Sequence, residues 1–69
     1  MHYWTIVEQI KNRRESLLVT QEMLADIAGV SLRALKQLES GKGNPTLQTI
    51  HKIAEALGLE LTLNVKTIA

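Results

Sequence analysis

Cysteine is absent from this 69-residue chain, which excludes a disulfide framework and any thiolate-bound metal. Phenylalanine is absent as well, and Tyr3 and Trp4 are the whole aromatic complement. A core must therefore be assembled from Leu, Ile, Val and Ala, a set that suits packed helices. With one proline and four glycines, chain breakers are few enough for each to be read as punctuation. Neither sign of charge dominates: eight Lys and Arg stand against seven Asp and Glu, for a formal charge of +1. The total is silent on nucleic acid, and only the placement of charge can bear on it. No apolar run approaches the roughly 18 residues of a membrane span, and Met1-His2-Tyr3-Trp4 lacks the form of a secretory leader. These absences lead us to expect a cytoplasmic protein with no membrane partner.

Catalytic machinery is hard to assemble from what remains. His2 and His51 are far apart, and no thiol or convergent pair of carboxylates accompanies either. Ser31 and Ser40 have no base beside them in the local pattern. No enzymatic activity, metal site or cofactor is expected, and His51 reads as a surface residue. Hydrophobic residues make up 45% of the chain, which excludes disorder by composition. The length allows one domain, residues 1–69. A core so small rarely yields more than about 3–5 kcal/mol of net stability. Without disulfides or a metal, a second subunit is the leading way to enlarge it.

Hydrophobic spacing predicts four helices, each with its own punctuation. Thr5 with Glu8 three residues on forms a capping-box pattern and predicts a helix from Thr5 to Ser16 or Leu17, with Ile6, Val7, Ile10, Arg14 and Leu17 recurring at helical spacing. Thr20 caps the second, whose inner face is Leu24, Ile27 and Ala28 and which Gly29 stops. Ser31 caps the third, with Leu35 and Leu38 inward and Gly41 as terminator. The run Gly41-Lys42-Gly43-Asn44-Pro45 is a loop. Thr46 caps the fourth, with its stripe Leu47, Ile50, Ile53, Ala54 and Leu57, and Gly58 closes it. After Gly58 the hydrophobic period falls from about 3.6 to 2. Leu59, Leu61, Leu63 and Val65 alternate with polar residues, which predicts a half-buried strand over about 59–66. The chain holds no second strand of comparable quality. The expected partner is the same segment of another subunit, paired antiparallel across a two-fold axis.

The second and third segments are joined by Ala28-Gly29-Val30-Ser31 and predict a helix-turn-helix at about residues 20–39, two short helices crossing steeply through a tight turn. Ala25 is small where the helices approach. Gly29 can take the left-handed conformation the turn needs, and Val30 plugs the turn into the core. Because Leu35 and Leu38 point inward, Leu32, Arg33, Lys36 and Gln37 must point outward on the half of the helix that enters a DNA groove. Arg33 suits guanine and Gln37 suits adenine, each pairing worth about 1–3 kcal/mol of discrimination. An ordinary helical hairpin in a bundle is the competing interpretation of the same pattern. Arg33, Lys36 and Lys42 gather basic charge on this side, while Glu8, Glu55 and Glu60 lie elsewhere. Glu22 and Asp26 on the second helix are expected to turn away.

The runs Thr20-Gln21-Glu22-Met23-Leu24-Ala25, Ala28-Gly29-Val30-Ser31 and Leu38-Glu39-Ser40-Gly41-Lys42-Gly43-Asn44-Pro45-Thr46-Leu47 resemble the Cro/cI-like (xenobiotic-response-element) helix-turn-helix family over about residues 6–58. The tail Ala56-Leu57-Gly58-Leu59-Glu60-Leu61-Thr62-Leu63 resembles, over a shorter stretch, HipB-type antitoxins, in which a strand after the last helix makes an intersubunit sheet. The resemblance implies an all-α, four-helix phage-repressor-like domain with a C-terminal dimerising strand. It also implies that Gln21 touches a phosphate and buttresses the recognition helix, and that Ser31, Leu32, Arg33, Lys36 and Gln37 face the major groove. Leu32 departs from the polar reader usual there; a thymine methyl contact and simple packing both remain open. Lys42, Asn44 and the Thr46 amide suit phosphate oxygens at a helix start, as the resemblance also implies.

Arg14 and Glu39 match a family pair that tethers the recognition helix, whereas Arg13 is expected to face solvent or phosphate. Leu18 stands where the family often has glycine, and would be strained if its φ is positive. Trp4 is assigned to a dimer interface or to packing on the first helix, with contact to a partner as the alternative. Three functions compete. The first is a homodimeric repressor on a pseudo-palindromic operator of double-stranded DNA. The second is an antitoxin-like adaptor that also binds a HipA-like toxin kinase, and the third is a pure interaction module without DNA binding.

Overall fold

Three side-chain hydroxyls start three of the helices. In the computed structural model, which describes residues 3–67, Thr20 Oγ1 accepts from the Met23 amide at 3.1 Å, and Ser31 Oγ from the Ala34 amide at 3.0 Å. Thr46 Oγ1 likewise accepts from the Thr49 amide at 3.1 Å. Each satisfies a donor that the first turn would leave unpaired. They open α2 (Gln21–Ala28), α3 (Leu32–Glu39) and α4 (Leu47–Ala56) where the sequence places them. The first helix, α1 (Tyr3–Ser16), begins earlier than Thr5. Thr5 therefore lies inside the helix and does not cap it. The added residues are anchored by Trp4, whose ring packs on Gly41, a contact that no local capping pattern encodes.

All four helices end the same way. At α1 the Leu18 amide donates to Glu15 O (3.0 Å) and the Val19 amide to Arg14 O (3.2 Å). The equivalent crossed pair closes α2 through Gly29 and Val30, α3 through Gly41 and Lys42, and α4 through Gly58 and Leu59. This is the Schellman arrangement, which needs one left-handed residue. In three cases that residue is glycine; in α1 it is Leu18, at φ 59. The strain foreseen for leucine at this point is thus present.

The core is formed by Val7 and Ile10 of α1, Leu24 and Ala25 of α2, Leu35 and Leu38 of α3, and Ile53 and Leu57 at the end of α4. Helix α2 packs on both α3 and α4, and α1 packs on α3. Ala25, small and buried, lets α2 approach its neighbours. Two expected core residues are instead exposed: Ile27 at 65% and Leu47 at 71%. On α2, residues Leu24, Ala25 and Ala28 share an arc that leaves Ile27 about 60° outside it, at about 100° per residue. Leu47 lies on the right stripe of α4 but at its first residue. Leu17, similarly, is at the far end of α1 and is half exposed. Periodicity marks a face without telling how far along it the neighbours reach.

The tail also differs from expectation. Among the described residues, 57–67 contain no strand. Leu59 packs against the core of its own chain, Leu61 is partly exposed, and Leu63 and Val65 are 92% and 96% exposed. A strand is defined by a ladder to a neighbour, and one copy of the chain holds no second segment to supply it. Among the described residues of the single chain the architecture is all-helical. No helix among the described residues is long and apolar enough to cross a membrane. His2 lies outside the described residues.

Candidate nucleic-acid interface

The recognition segment is clamped from behind before anything faces outward. Leu35 is fully buried and Leu38 nearly so, which fixes the rotation of α3 about its axis. Glu39 follows them into the interior, a carboxylate only 6% exposed. Such a burial is tolerable only with partners, and Glu39 has three hydrogen bonds. Arg14 Nε donates to Oε2 at 2.7 Å and Arg14 Nη2 to Oε1 at 2.9 Å, a bidentate fork. Gln21 Nε2 adds a bond to Oε1 at 3.1 Å. The remaining Arg14 nitrogen, Nη1, donates to Val19 O at 2.8 Å and so holds the strained turn after α1. The hydrogen bond to Glu39 pushes the Arg14 pKa above its ordinary value, against the desolvation that lowers it. The guanidinium therefore stays charged, and with the Gln21 bond the pair ties α1, α2 and α3 together at the end of α3.

With Leu35, Leu38 and Glu39 inside, Arg33, Lys36 and Gln37 are exposed. Together with Leu32 and Ser40 they line one shallow depression. Leu32 is half-buried: one side packs against the core, and the remainder lines this depression. The Ser31 hydroxyl is engaged as the cap of α3. Gln21, expected as both phosphate contact and buttress, is half-buried at the first residue of α2 and bonded to Glu39 of α3.

A second depression adjoins the first and shares Gln37 with it. Lys42, Asn44, Thr46 and Thr49 line this one. Lys42 and Asn44 are exposed. Thr46, as well as capping α4, donates its hydroxyl to Thr49 Oγ1 at 3.0 Å. The structure thus gathers Arg33, Lys36, Gln37, Lys42 and Asn44 on one side, with the basic groups unburied. A surface of this kind can meet phosphate oxygens with its cations and base edges with its planar amide and guanidinium. Glu22 and Asp26 are exposed on α2.

Two residues have contacts that the sequence did not announce. Arg13 is exposed, yet its Nε donates to Leu57 O at 2.9 Å, closing the end of α4. Trp4 covers Gly41 of the loop after α3. Nothing in the local pattern signals either, because each joins residues more than thirty positions apart. His51 lies 3.3 Å from Glu55 on the exposed face of α4.

Comparison with known proteins places this geometry. A helix-turn-helix family model, of the Cro/cI type, matches residues 10–64. The chain is 41% identical over 56 residues to the cryptic phage CTXphi transcriptional repressor RstR of Vibrio cholerae, covering 81% of this chain and 50% of that protein. It is 43% identical over 51 residues, 74% of each chain, to an HTH-type transcriptional regulator of Methanothermobacter thermautotrophicus. A third relative, the immunity repressor protein of Bacillus phage phi105, is 34% identical over 58 residues, covering 84% of this chain and 40% of that protein. The chain thus spans half the length of the Vibrio repressor and less than half of the phi105 protein.

Proposed function

The chain belongs to the Cro/cI-type helix-turn-helix family, and on that premise we propose that it is a sequence-specific transcriptional repressor, acting as a homodimer on a pseudo-palindromic operator. The observation that carries this reading is the two-sidedness of α3: Leu35 and Leu38 are buried while Arg33, Lys36 and Gln37 stand exposed on the opposite side. Placed in a major groove, Arg33 pairs with guanine and Gln37 with adenine. Lys36 faces the groove beside them, and Lys42 and Asn44 contact phosphates and set the register. Ser31 and Gln21 contribute at the helix starts. Two such helices, about 34 Å apart across a two-fold axis, match successive turns of B-form DNA.

Dimerisation is assigned to the tail. The apolar alternation of Leu61, Leu63 and Val65 leaves three large side chains exposed in one chain, and antiparallel pairing with a second tail covers them and completes the ladder. Leu59, held on its own core, anchors the start of that strand. The site of action is the cytoplasm. The names of the relatives favour a regulator of transcription over the toxin-binding adaptor that the tail resembles.

Selection of bound duplexes from a random pool tests the reading, with Arg33→Ala and Gln37→Ala run in parallel. Direct readout requires that each substitution relax preference at discrete base positions. A protein that retains no duplex above background refutes it.

A further inference from the structure

Trp4 takes no part in the reading face, yet it is tied to it. Its indole lies over Gly41: a Cβ at position 41 would fall 2.7 Å from Cζ3 and 3.2 Å from Cε3 of the ring. Gly41 also sits at φ 74, so a side chain at this position is opposed on two independent counts, backbone strain and the ring. Two residues further, the loop rests on the recognition helix. A Cβ at Gly43 would come 3.4 Å from Oε1 and 3.6 Å from Cβ of Gln37. The Lys42 amide, between them, donates to the Gln37 carbonyl at 3.0 Å. Trp4, Lys42, Asn44 and Pro45 line one cleft. A chain of contacts thus runs from the first turn of α1, through the loop 41–45, to Gln37.

We propose that Trp4 is a positioning residue for DNA binding: its indole clamps Gly41 and sets the loop so that Lys42 and Asn44 meet phosphates and Gln37 keeps its orientation. The inference rests on the DNA-binding reading above. A loop with two glycines in three positions has many conformations, and ordering it at the moment of association would weaken binding. The ring removes that cost in advance by leaving Gly41 a single place to be. Trp4 itself, half exposed on the first turn of α1, touches no base in this scheme. It acts through the loop.

The test compares the wild-type protein with Trp4→Ala, Trp4→Phe, Gly41→Ala, Lys42→Ala/Asn44→Ala and that pair combined with Trp4→Ala, using one selected duplex over a salt series. Trp4→Ala is expected to weaken binding on the order of tenfold and to reduce the salt slope by about one per subunit, as the loss of one phosphate contact does. Trp4→Phe, which keeps a ring, should recover most of the affinity, and Gly41→Ala should behave like Trp4→Ala. In the Lys42→Ala/Asn44→Ala background, Trp4→Ala should change affinity by less than about twofold, because coupled residues are not additive. Hydrogen exchange should quicken at the Gly41 and Lys42 amides of Trp4→Ala while the Leu35 amide stays protected. Full additivity in the loop-deficient background, or a Trp4→Ala protein with the wild-type slope, overturns the proposal. If the wild-type protein binds no duplex, the DNA reading falls and takes the proposal with it; the exchange measurement then still reports whether the ring orders the loop.

Discussion

Leu18→Gly should make this protein more stable, although it deletes a large apolar side chain. Leu18 is the left-handed residue of the turn that closes α1, at φ 59. An L-residue with a side chain pays roughly 1–2 kcal/mol for that conformation. Leucine recovers little in return, because it is 88% exposed. Glycine relieves the strain but gives the unfolded chain back about 0.5–1 kcal/mol of backbone freedom. The net expected gain is about 0.5–1 kcal/mol, or roughly 2–8 °C in Tm for a domain of this size. Two controls isolate the cause. Leu18→Ala removes the same exposed apolar surface but keeps a Cβ, so its Tm should stay near that of the wild type. Gly29→Ala is the mirror experiment: Gly29 sits at φ 72 with nothing within 4 Å of an added Cβ, so its expected net loss of about 0.5–1 kcal/mol, strain less the freedom removed from the unfolded chain, reflects the backbone and no steric contact. Thermal unfolding followed by circular dichroism at matched protein concentrations reads all three. Leu18→Ala stabilising as much as Leu18→Gly would refute the reasoning, because relief would then come from losing surface and not from the dihedral.

Removing Arg14 should be far more costly. Arg14→Met leaves the buried Glu39 carboxylate with Gln21 as its remaining partner among the bonds described here, and about 3 kcal/mol should be lost, at the low end for a buried pair because the Arg14 side chain keeps 12% exposure. In urea unfolding, Arg14→Met/Glu39→Met should recover much of that loss; a double variant no better than the single one would count against the ion pair as its origin. If the proposed tail-to-tail dimer forms, Leu61→Asp/Leu63→Asp should split it and weaken duplex binding steeply, and a variant still dimeric in sedimentation would remove the tail from the interface. Affinity for any duplex should fall with salt, since Arg33, Lys36 and Lys42 are exposed cations, and a flat response would contradict phosphate contact.

The short-range features of the molecule are written in short-range sequence. The hydroxyls of Thr20, Ser31 and Thr46 bond to amides three residues away, so each cap could be located from neighbours alone, and Gly29 marks a turn whose bonds span three to five positions. The outward set Arg33, Lys36 and Gln37 followed from the inward Leu35 and Leu38, because helical geometry makes one imply the other. Glu39 and Arg14 came together by family resemblance and not by any rule of spacing. Ile27 and Leu47 show where periodicity stops: it orients a face but does not tell which neighbour covers it, or how far.

By itself, then, the order of residues determined where α2, α3 and α4 start, where the helices stop and which edge of α3 is polar, since hydrogen bonds and side-chain direction within a helix depend only on residues a few positions apart. Only the tertiary structure decided that Trp4 rests on Gly41, that Arg13 closes α4, that Gln21 buttresses α3 through Glu39, and that the alternating tail has no ladder among the described residues of one chain. Those outcomes depend on where separate helices come to rest in space, a position set by the packing of the whole core.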